Sequence, residues 1–198
     1  GKMACDPACV KMKLVPWGGV AALISREGSH MSKVKGKAFC FLPLPAETEL
    51  PVHVNGYFEL SSNRRDIWRG DDMTGEGKIR ADWNTALVED VIAPTYARLL
   101  VHLTGKVTGE SLGSYYSMWP STQVGEPWSS LSRRVYGECG GLAVLYSRVG
   151  GGRWVTPSEA CYVPEECQHR NAVCEALLEE NEKMISDTPS DILTNFSL

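Results

Sequence analysis

The chain has 198 residues, of which 43% are hydrophobic and 22% charged, and its formal net charge at pH 7 is -4. This length suits one large domain or two small ones, and the acidic balance excludes a nucleic-acid surface that covers the whole chain. No apolar run reaches the roughly 18 residues that a membrane helix needs, so membrane insertion is not expected. Seven cysteines, an odd number without a secretory signal, favour reduced thiols in a cytoplasmic protein.

The first third of the chain predicts strands. Residues 14–24, "LVPWGGVAALI", are apolar with a turn expected at 16–19, and the polar stretch 25–37 predicts a loop. "AFCFLPLP" (38–45) predicts one buried strand that its prolines end, because proline lacks the N–H that a ladder needs. "VHVNGYF" (52–58) predicts a second strand beside the first.

A run of polar side chains, within "LSSNRRDIW" (60–68), follows the second strand and is the main candidate site. Its centre consists of Ser61, Ser62, Asn63, Arg64 and Arg65. A serine or asparagine here is expected to cap a short helical turn, because its side-chain oxygen accepts from free backbone N–H groups. The arginines then either pair with Glu59, Asp66, Asp71 or Asp72, or present guanidinium groups suited to phosphate at a helix N-terminus. The residues alone favour the capped turn with paired charges.

Two helices follow. Ile79, Trp83 and Leu87 recur every four residues and predict a long helix from near Ile79, with Gly105 as its stop. Pro94 lies inside this pattern, so the helix is expected to kink there or to restart. A second helix is predicted in "EPWSSLSRRVYG", with proline at its first position, a glycine at its end and one face made of Trp128, Leu131 and Val135.

The last third mixes strand and helix signals. "LAVLYSRVGGGRWV" (142–155) predicts a hairpin around three glycines, and "TPSEA" (156–160) predicts a helix start or a turn. "NAVCEALLEENEK" (171–183) predicts a short amphipathic helix whose inward side chains are Val173, Ala176 and Leu177.

Metal and nucleotide motifs are weak. Cys161, Cys167 and Cys174 are separated by five and six residues, whereas structural zinc sites bring ligands in C-x₂₋₄-C pairs. Buried free thiols are therefore expected, and no metal site. The glycines at 150–152 open a strand, not a helix with Lys and Ser or Thr, so they do not form a P-loop.

Several segments together resemble the large repeat regions of the sacsin family. The members of this family are very long cytosolic proteins. The segments are "PWGGVAA" (16–22), "GKAFCFLPLP" (36–45), "LPVHVNGYFELSSNRRDIW" (50–68), "DWNTALVEDVIAPTYARLL" (82–100), "EPWSSL" (126–131) and "GGRWV" (151–155). The resemblance covers most of residues 14–160 and marks this chain as a piece of a longer polypeptide.

In that family each repeat begins with an ATP-binding domain similar to that of the heat-shock protein 90 chaperones, and a segment like this one follows it. The resemblance implies that residues 36–105 correspond to the chaperone middle domain, where an arginine in a strand–turn–helix motif reaches the γ-phosphate of ATP. It places Arg64 on that arginine and Asn63 on the serine before it, with Ser61 and Ser62 as capping neighbours. The chain departs from the motif at Arg65 and Trp68.

The function implied by the resemblance is that of a chaperone or co-chaperone segment, which couples an upstream ATP-binding domain to protein clients or co-chaperones. ATP and Mg²⁺ would bind to the full-length protein and not to this segment, which lacks the D-x-G-x-G turn of that ATP site. Whether the full-length protein is a weak ATPase stays open. The alternative is a non-enzymatic interaction scaffold, in a protein linked to ubiquitin or the proteasome.

The expected fold class is α/β or α+β, with a small mixed sheet and packed helices like a chaperone middle domain and a smaller C-terminal α/β part. Residues 1–35 would connect to the upstream ATPase-like domain, residues 36–118 would form the middle-domain-like subdomain, and residues 119–198 a second, smaller subdomain.

Overall fold

The computed structural model describes residues 2–24, 31–32, 34–70, 74–107, 111–164, 166–180, 185 and 188–196, and its fold is mixed α+β, as predicted. The strands are β1 Gly18–Ala21, β2 Leu23–Ile24, β3 Met31–Ser32, β4 Lys37–Cys40, β5 Leu42–Glu47, β6 His53–Gly56, β7 Leu145–Ser147 and β8 Arg153–Val155. The helices are α1 Pro7–Lys11, α2 Gly75–Leu87, α3 Ala93–Thr104, α4 Leu112–Tyr116, α5 Trp128–Cys139, α6 Arg170–Glu179 and α7 Ser190–Phe196.

A four-stranded sheet in the order β1-β6-β4-β5 is the centre of the fold. Strand β6 pairs with β1 in antiparallel and with β4 in parallel orientation, and β5 is antiparallel to β4. The prediction that the strands in 38–45 and 52–58 are neighbours is therefore confirmed. Strands β2 and β3 form a separate pair, as do β7 and β8.

The single strand predicted over 38–45 is wrong, because the chain reverses there. Phe41 lies between β4 and β5 with φ 61°, in the left-handed region. The two strands form an antiparallel hairpin around it. Pro43 and Pro45 lie inside β5 and do not end it. Strand β5 is at the edge of the sheet, where a strand tolerates proline because its outer side needs no ladder hydrogen bonds.

The turn predicted at 16–19 is also corrected, because its two glycines belong to β1. A Cβ atom on Gly18 would lie 2.9 Å from Cγ1 of Ile92, so only glycine lets the helix layer approach this closely. Of the loop predicted over 25–37, residues 25–30 and 33 lie outside the described residues, and Met31–Ser32 form β3.

The long helix is confirmed, and of the two predicted alternatives the restart with Pro94 in a first turn is the one observed. Helix α2 continues through a π-helical turn, Val88–Ile92, into α3, in whose first turn Pro94 lies. A wider turn before proline accommodates its missing N–H and its ring. The helix begins at Gly75, earlier than Ile79, and Gly105 is its C-cap.

Helix α5 packs on α3 with the predicted face. Trp128, Leu131 and Val135 are all buried. The helix has Pro127 as its N-cap and runs two residues past Gly137, to Cys139.

The C-terminal part confirms the hairpin but not the packing of α6. Strands β7 and β8 pair in antiparallel orientation, and residues 157–159 form a 3₁₀ turn with a capping box. In α6 no residue is buried, and Val173 and Ala176 are exposed. The predicted inward face is therefore wrong, because no described element covers that side of the helix.

One main core combines residues from the central sheet, α3, α5, the β7–β8 hairpin and α7. Hydroxyl groups tie its parts together: that of Tyr96 donates to the carbonyl of Met118 at 2.6 Å, and that of Tyr115 to the carbonyl of Val144 at 2.9 Å. A second, smaller cluster of Cys9, Leu14 and Trp83 holds the N-terminal residues against α2. The division of the chain at residues 118 and 119 stays a prediction.

Candidate functional site

The candidate residues lie in a closed loop, residues 60–67, which we call the Arg64 loop. An isolated β-bridge between Leu60 and Ile67 closes it. Inside the loop, the N–H of Ser61 donates to the carbonyl of Asp66 at 2.8 Å, and the N–H of Arg64 to the carbonyl of Ser61 at 2.8 Å. These backbone hydrogen bonds make the loop a compact turn.

The short helix expected after β6 is not present in the described part of this loop. Asn63 Oδ1 accepts from the N–H of Arg65 at 3.1 Å and from Ser61 Oγ at 2.7 Å. Ser61 Oγ in turn accepts from the N–H of Asp66 at 3.1 Å. Asn63 and Ser61 thus cap a turn, while Ser62 is exposed and caps no helix. The side chains offer the backbone an alternative to a helix, which is their usual effect in turns.

Arg64 and Arg65 are both exposed at the tip of the loop. Neither side chain has an ion pair or a hydrogen bond with any residue that the structure describes. Of the expected partners, Glu59 is paired with Arg80 instead, whereas Asp71 and Asp72 lie outside the described residues. Arg64 has φ 55°, in the left-handed region that favours glycine or asparagine.

Asn84, on α2, holds the base of the loop. It is 3% exposed, and its Oδ1 accepts from the N–H of Glu59 at 2.9 Å. Its Nδ2 donates to the carbonyls of Glu59 at 2.8 Å and Trp68 at 3.0 Å. One buried amide therefore joins the two chain segments that enter and leave the Arg64 loop.

Four further contacts fix the loop to its surroundings. Trp68 donates from its N–H to the carbonyl of Glu59 at 3.0 Å and from Nε1 to the carbonyl of Leu60 at 2.7 Å. Arg80 pairs with Glu59, and Arg69 donates to the carbonyl of Glu126. The Arg64 loop is thus a rigid platform that presents two charged side chains.

The groove beside the loop is not built for an anion. Its lining has two acidic residues and one basic residue, whereas Arg64 and Arg65 are not part of it; the lining residues are Ser61, Asp66, Ile67, Trp68, Arg69, Gly70 and Glu126. Burial opposes ionisation of Glu126, but hydrogen bonds from Ser129, Ser130 and Arg133 outweigh it and lower its pKa to about 2. Glu126 is therefore charged at neutral pH, and any phosphate near Arg64 must be held from outside this groove.

Cys40, in β4, is close enough to Arg64 to sense its charge. Burial raises the pKa of the Cys40 thiol, and the hydrogen bond to the Phe58 carbonyl, at 3.5 Å, and the charge of Arg64 oppose this increase. The net pKa is raised, so this thiol is a packed side chain and not an activated nucleophile.

No metal site is found in the described parts of the chain, where no group of three or more His, Cys, Asp or Glu side chains is arranged to hold an ion. All seven cysteines are free: Cys9, Cys40 and Cys139 are buried, Cys161, Cys167 and Cys174 half-buried, and Cys5 exposed. The expectation of fully buried thiols at 161, 167 and 174 is therefore wrong. None of the described helices is long and apolar enough to cross a membrane.

Sequence reasoning missed the residues that hold the loop. Asn84 lies between Trp83 and Leu87 on an apolar helix face, and a lone amide in such a face is the signal that points to a buried hydrogen-bond role. Arg69 and Arg80 gave no comparable signal, because their partners are distant in sequence.

The fold and the loop define a mixed α+β module with helices on one face of its sheet and an arginine-bearing turn fixed by a buried asparagine. Comparison with known proteins adds that 90 residues, 46% of this chain, are 51% identical to human sacsin. The resemblance to sacsin is thereby confirmed over these 90 residues. The chain spans about 2% of the length of human sacsin. No protein-family model matches the chain, and no solved structure matches it either.

Proposed function

We propose that this chain is a segment of a sacsin-like molecular chaperone or co-chaperone, which couples an upstream ATP-binding domain to the binding of protein clients or partner proteins. The similarity to human sacsin supports the proposal. In it, ATP and Mg²⁺ are held by the upstream domain, not by this segment, and the protein acts in the cytoplasm.

Arg64 is proposed to contact the γ-phosphate of that ATP, with Arg65 beside it. The observation that carries this role is the pair of exposed arginines, without ion pairs to described residues, on a loop that Asn84 and Trp68 fix. An arginine without a partner among the described residues keeps its five N–H donors for an external anion.

The loop is a turn, so the positive end of a helix does not assist the arginines. Their own charge must stabilise the phosphate, which is how an arginine supplied from a second domain acts in phosphoryl transfer. Such an arrangement makes hydrolysis depend on closure of the two domains, and this closure is the conformational step that a chaperone cycle requires.

Turnover of ATP tests the proposal in a longer chain that contains the upstream domain. We expect Arg64→Ala to lower kcat at least a hundredfold, with a smaller loss for Arg65→Ala. Arg98→Ala, at an exposed position on α3, is the matched control and should not change kcat. If both loop variants hydrolyse ATP like the wild type, neither arginine has the phosphate role.

A non-enzymatic interaction module is the second candidate function, and the exposed aromatic side chains of the sheet favour it. Trp17 is 47% and Phe41 67% exposed. This candidate includes a scaffold in a ubiquitin- or proteasome-linked protein. It predicts that Arg64→Ala leaves ATP turnover of the longer chain unchanged while partner binding persists without nucleotide.

A further inference from the structure

Among the described residues, the helices pack on one face of the central sheet. Side chains at Ala38 and Val54 point into the core, and because side chains alternate along a strand, their neighbours point to the opposite face. There the ring of Phe41 stacks on Trp17 at a centroid distance of 6.3 Å and an angle of 7°. It also meets Tyr57 edge-on, at 5.7 Å. We call Trp17, Phe41 and Tyr57 the aromatic triad.

Phe41 occupies a backbone conformation that opposes its presence. Its φ of 61° is unfavourable for a bulky residue, and glycine or asparagine would relieve the strain at the tip of this hairpin. Burial does not offset the cost, since the side chain is 67% exposed. A strained residue whose ring packs on two other aromatic rings at the surface, and not in the core, points to a role in binding.

Strand β1, next to the triad, has an open backbone edge. The N–H of Tyr57 donates to the carbonyl of Trp17 at 3.0 Å, so Trp17 and Tyr57 form a hydrogen-bonded pair across β1 and β6. Hydrogen-bonded and non-hydrogen-bonded pairs alternate along antiparallel strands. In this register Gly18 and Val20 belong to non-hydrogen-bonded pairs. Their N–H and C=O groups therefore point away from β6, where no described strand pairs with them.

Gly19 leaves free space between this edge and the triad. It lies on the open face, and a Cβ atom built on it would meet no atom within 4 Å. Lys37 is opposite Glu47 in the register of β4 and β5, and Glu47 forms an ion pair with Lys35 at 2.7 Å. Next to Gly19 and Ala21 on this face are the side chains of Asn55 and His53, so the surface beside β1 combines aromatic and polar groups, and no described strand pairs with the outer backbone groups of β1.

We propose that β1 binds an extended polypeptide as an added strand, whose alternate apolar or aromatic side chains lie over Gly19 and against the aromatic triad. Only an extended backbone matches the spacing of the outward groups of Gly18 and Val20, and strand addition of this kind is a known mode of peptide recognition. A nucleic acid does not fit, because the triad has no cationic side chain among its members to meet phosphates.

The inference rests on the proposed function in one respect, which is that the partner is a protein segment. It does not depend on ATP or on the Arg64 loop. It is therefore tested without nucleotide on the 198-residue chain. The two proposals can fail separately. Arg64→Ala should not affect peptide binding, and substitutions in β1 should not affect the role of the arginines in ATP turnover.

The probe is a fluorescein-labelled peptide, Ser-Thr-Phe-Thr-Val-Thr-Phe-Thr-Ser, titrated with the protein and followed by fluorescence anisotropy. Two further peptides are N-methylated at alternate residues, one on each edge of the extended peptide. One edge faces β1 in antiparallel pairing and the other in parallel pairing, and antiparallel pairing is the more stable, so methylation of the edge used in antiparallel pairing should weaken binding about tenfold to a hundredfold, and methylation of the other should not. Equal binding of both methylated peptides and the parent peptide would overturn the proposal.

Protein variants give an independent result. Phe41→Asn should weaken binding at least tenfold while the melting temperature stays the same or rises, because asparagine tolerates φ 61°. Val20→Pro removes an outward N–H and should weaken binding, whereas Val20→Ile keeps the N–H and should bind normally. The proposal fails if Phe41→Asn binds like the wild type, or if oligothymidylate binds more tightly than the peptide. The methylated peptides are used with the unaltered protein, so they test strand addition even if Val20→Pro does not fold.

Discussion

Replacement of Asn84 by alanine tests whether one buried amide holds the Arg64 loop. The substitution removes three hydrogen bonds, at 2.9, 2.8 and 3.0 Å, from a side chain that is 3% exposed. The carbonyl of Glu59 keeps a second partner, the N–H of Trp68, at 3.0 Å. Two backbone groups, the N–H of Glu59 and the carbonyl of Trp68, lose the partner that Asn84 provides.

The magnitude follows from these two groups. A buried polar group without a partner costs about 1–3 kcal/mol, and Glu59 and Trp68 are half-buried, so the lower end applies to each. A small cavity in place of the amide adds to the loss. We expect Asn84→Ala to lower the free energy of unfolding by about 2–3 kcal/mol, which corresponds to about 4–12 °C in melting temperature for a chain of this size.

Urea unfolding followed by circular dichroism measures this difference, with thermal melts as a second measure. Thr85→Ala is the matched control on the same helix, because Thr85 is exposed and its hydroxyl only bonds the carbonyl of Ala81, at 3.1 Å. The control should stay within about 0.5 kcal/mol of the wild type. If Asn84→Ala also stays within that range, the loop is not held as described.

Three further predictions concern strain and titration. Arg64→Gly should raise the free energy of unfolding by about 0.5–1 kcal/mol, because glycine accepts φ 55°, and Arg64→Ala should give no such gain; chemical denaturation distinguishes the two. The lowered pKa of Glu126, about 2 against the usual 4.5, adds stability that is present above pH 4.5 and is lost as the pH falls toward 2. Glu126→Gln should reduce the decrease in the free energy of unfolding between pH 4.5 and pH 2, by no more than about 1 kcal/mol because the group is so exposed. If the variant and the wild type lose stability equally in acid, the assignment is wrong. Burial, with a smaller effect of Glu138, raises the pKa of Cys139 from 9.0 to about 12, so its contribution to stability is present below pH 9 and is lost as the pH rises toward 12. In thiol labelling at pH 8, the exposed Cys5 should react well before Cys139, and equal rates would show that Cys139 is not buried as described.

Features that depend on local periodicity could be predicted from the sequence. The face of α5, the interruption of the long helix near Pro94 and the β7–β8 hairpin all follow from patterns within a few residues. The wrong prediction of an inward face for α6 also comes from a local pattern. An apolar stripe predicts a helix face but does not say whether another element covers it.

The hairpin at Phe41 could not be predicted, because a phenylalanine in the left-handed region contradicts turn chemistry. The continuous apolar run instead indicated a single strand. The Arg64 loop is a different case: its run of polar residues is evident in the sequence, but whether it forms a helix or a turn depends on Asn63 and on contacts with Asn84, which is 25 residues from Glu59. Such distant contacts have no local signature.

The two ends of the central sheet differ in a way that limits how it can assemble. Strand β5 carries Pro43 and Pro45, which lack backbone donors, while no described strand pairs with the outward groups of Gly18 and Val20 in β1. A sheet built this way extends in one direction only. If two copies met through β1, the result would be a finite eight-stranded sheet with prolines at both ends, since a self-complementary contact closes on itself and leaves no edge from which a fibre could grow.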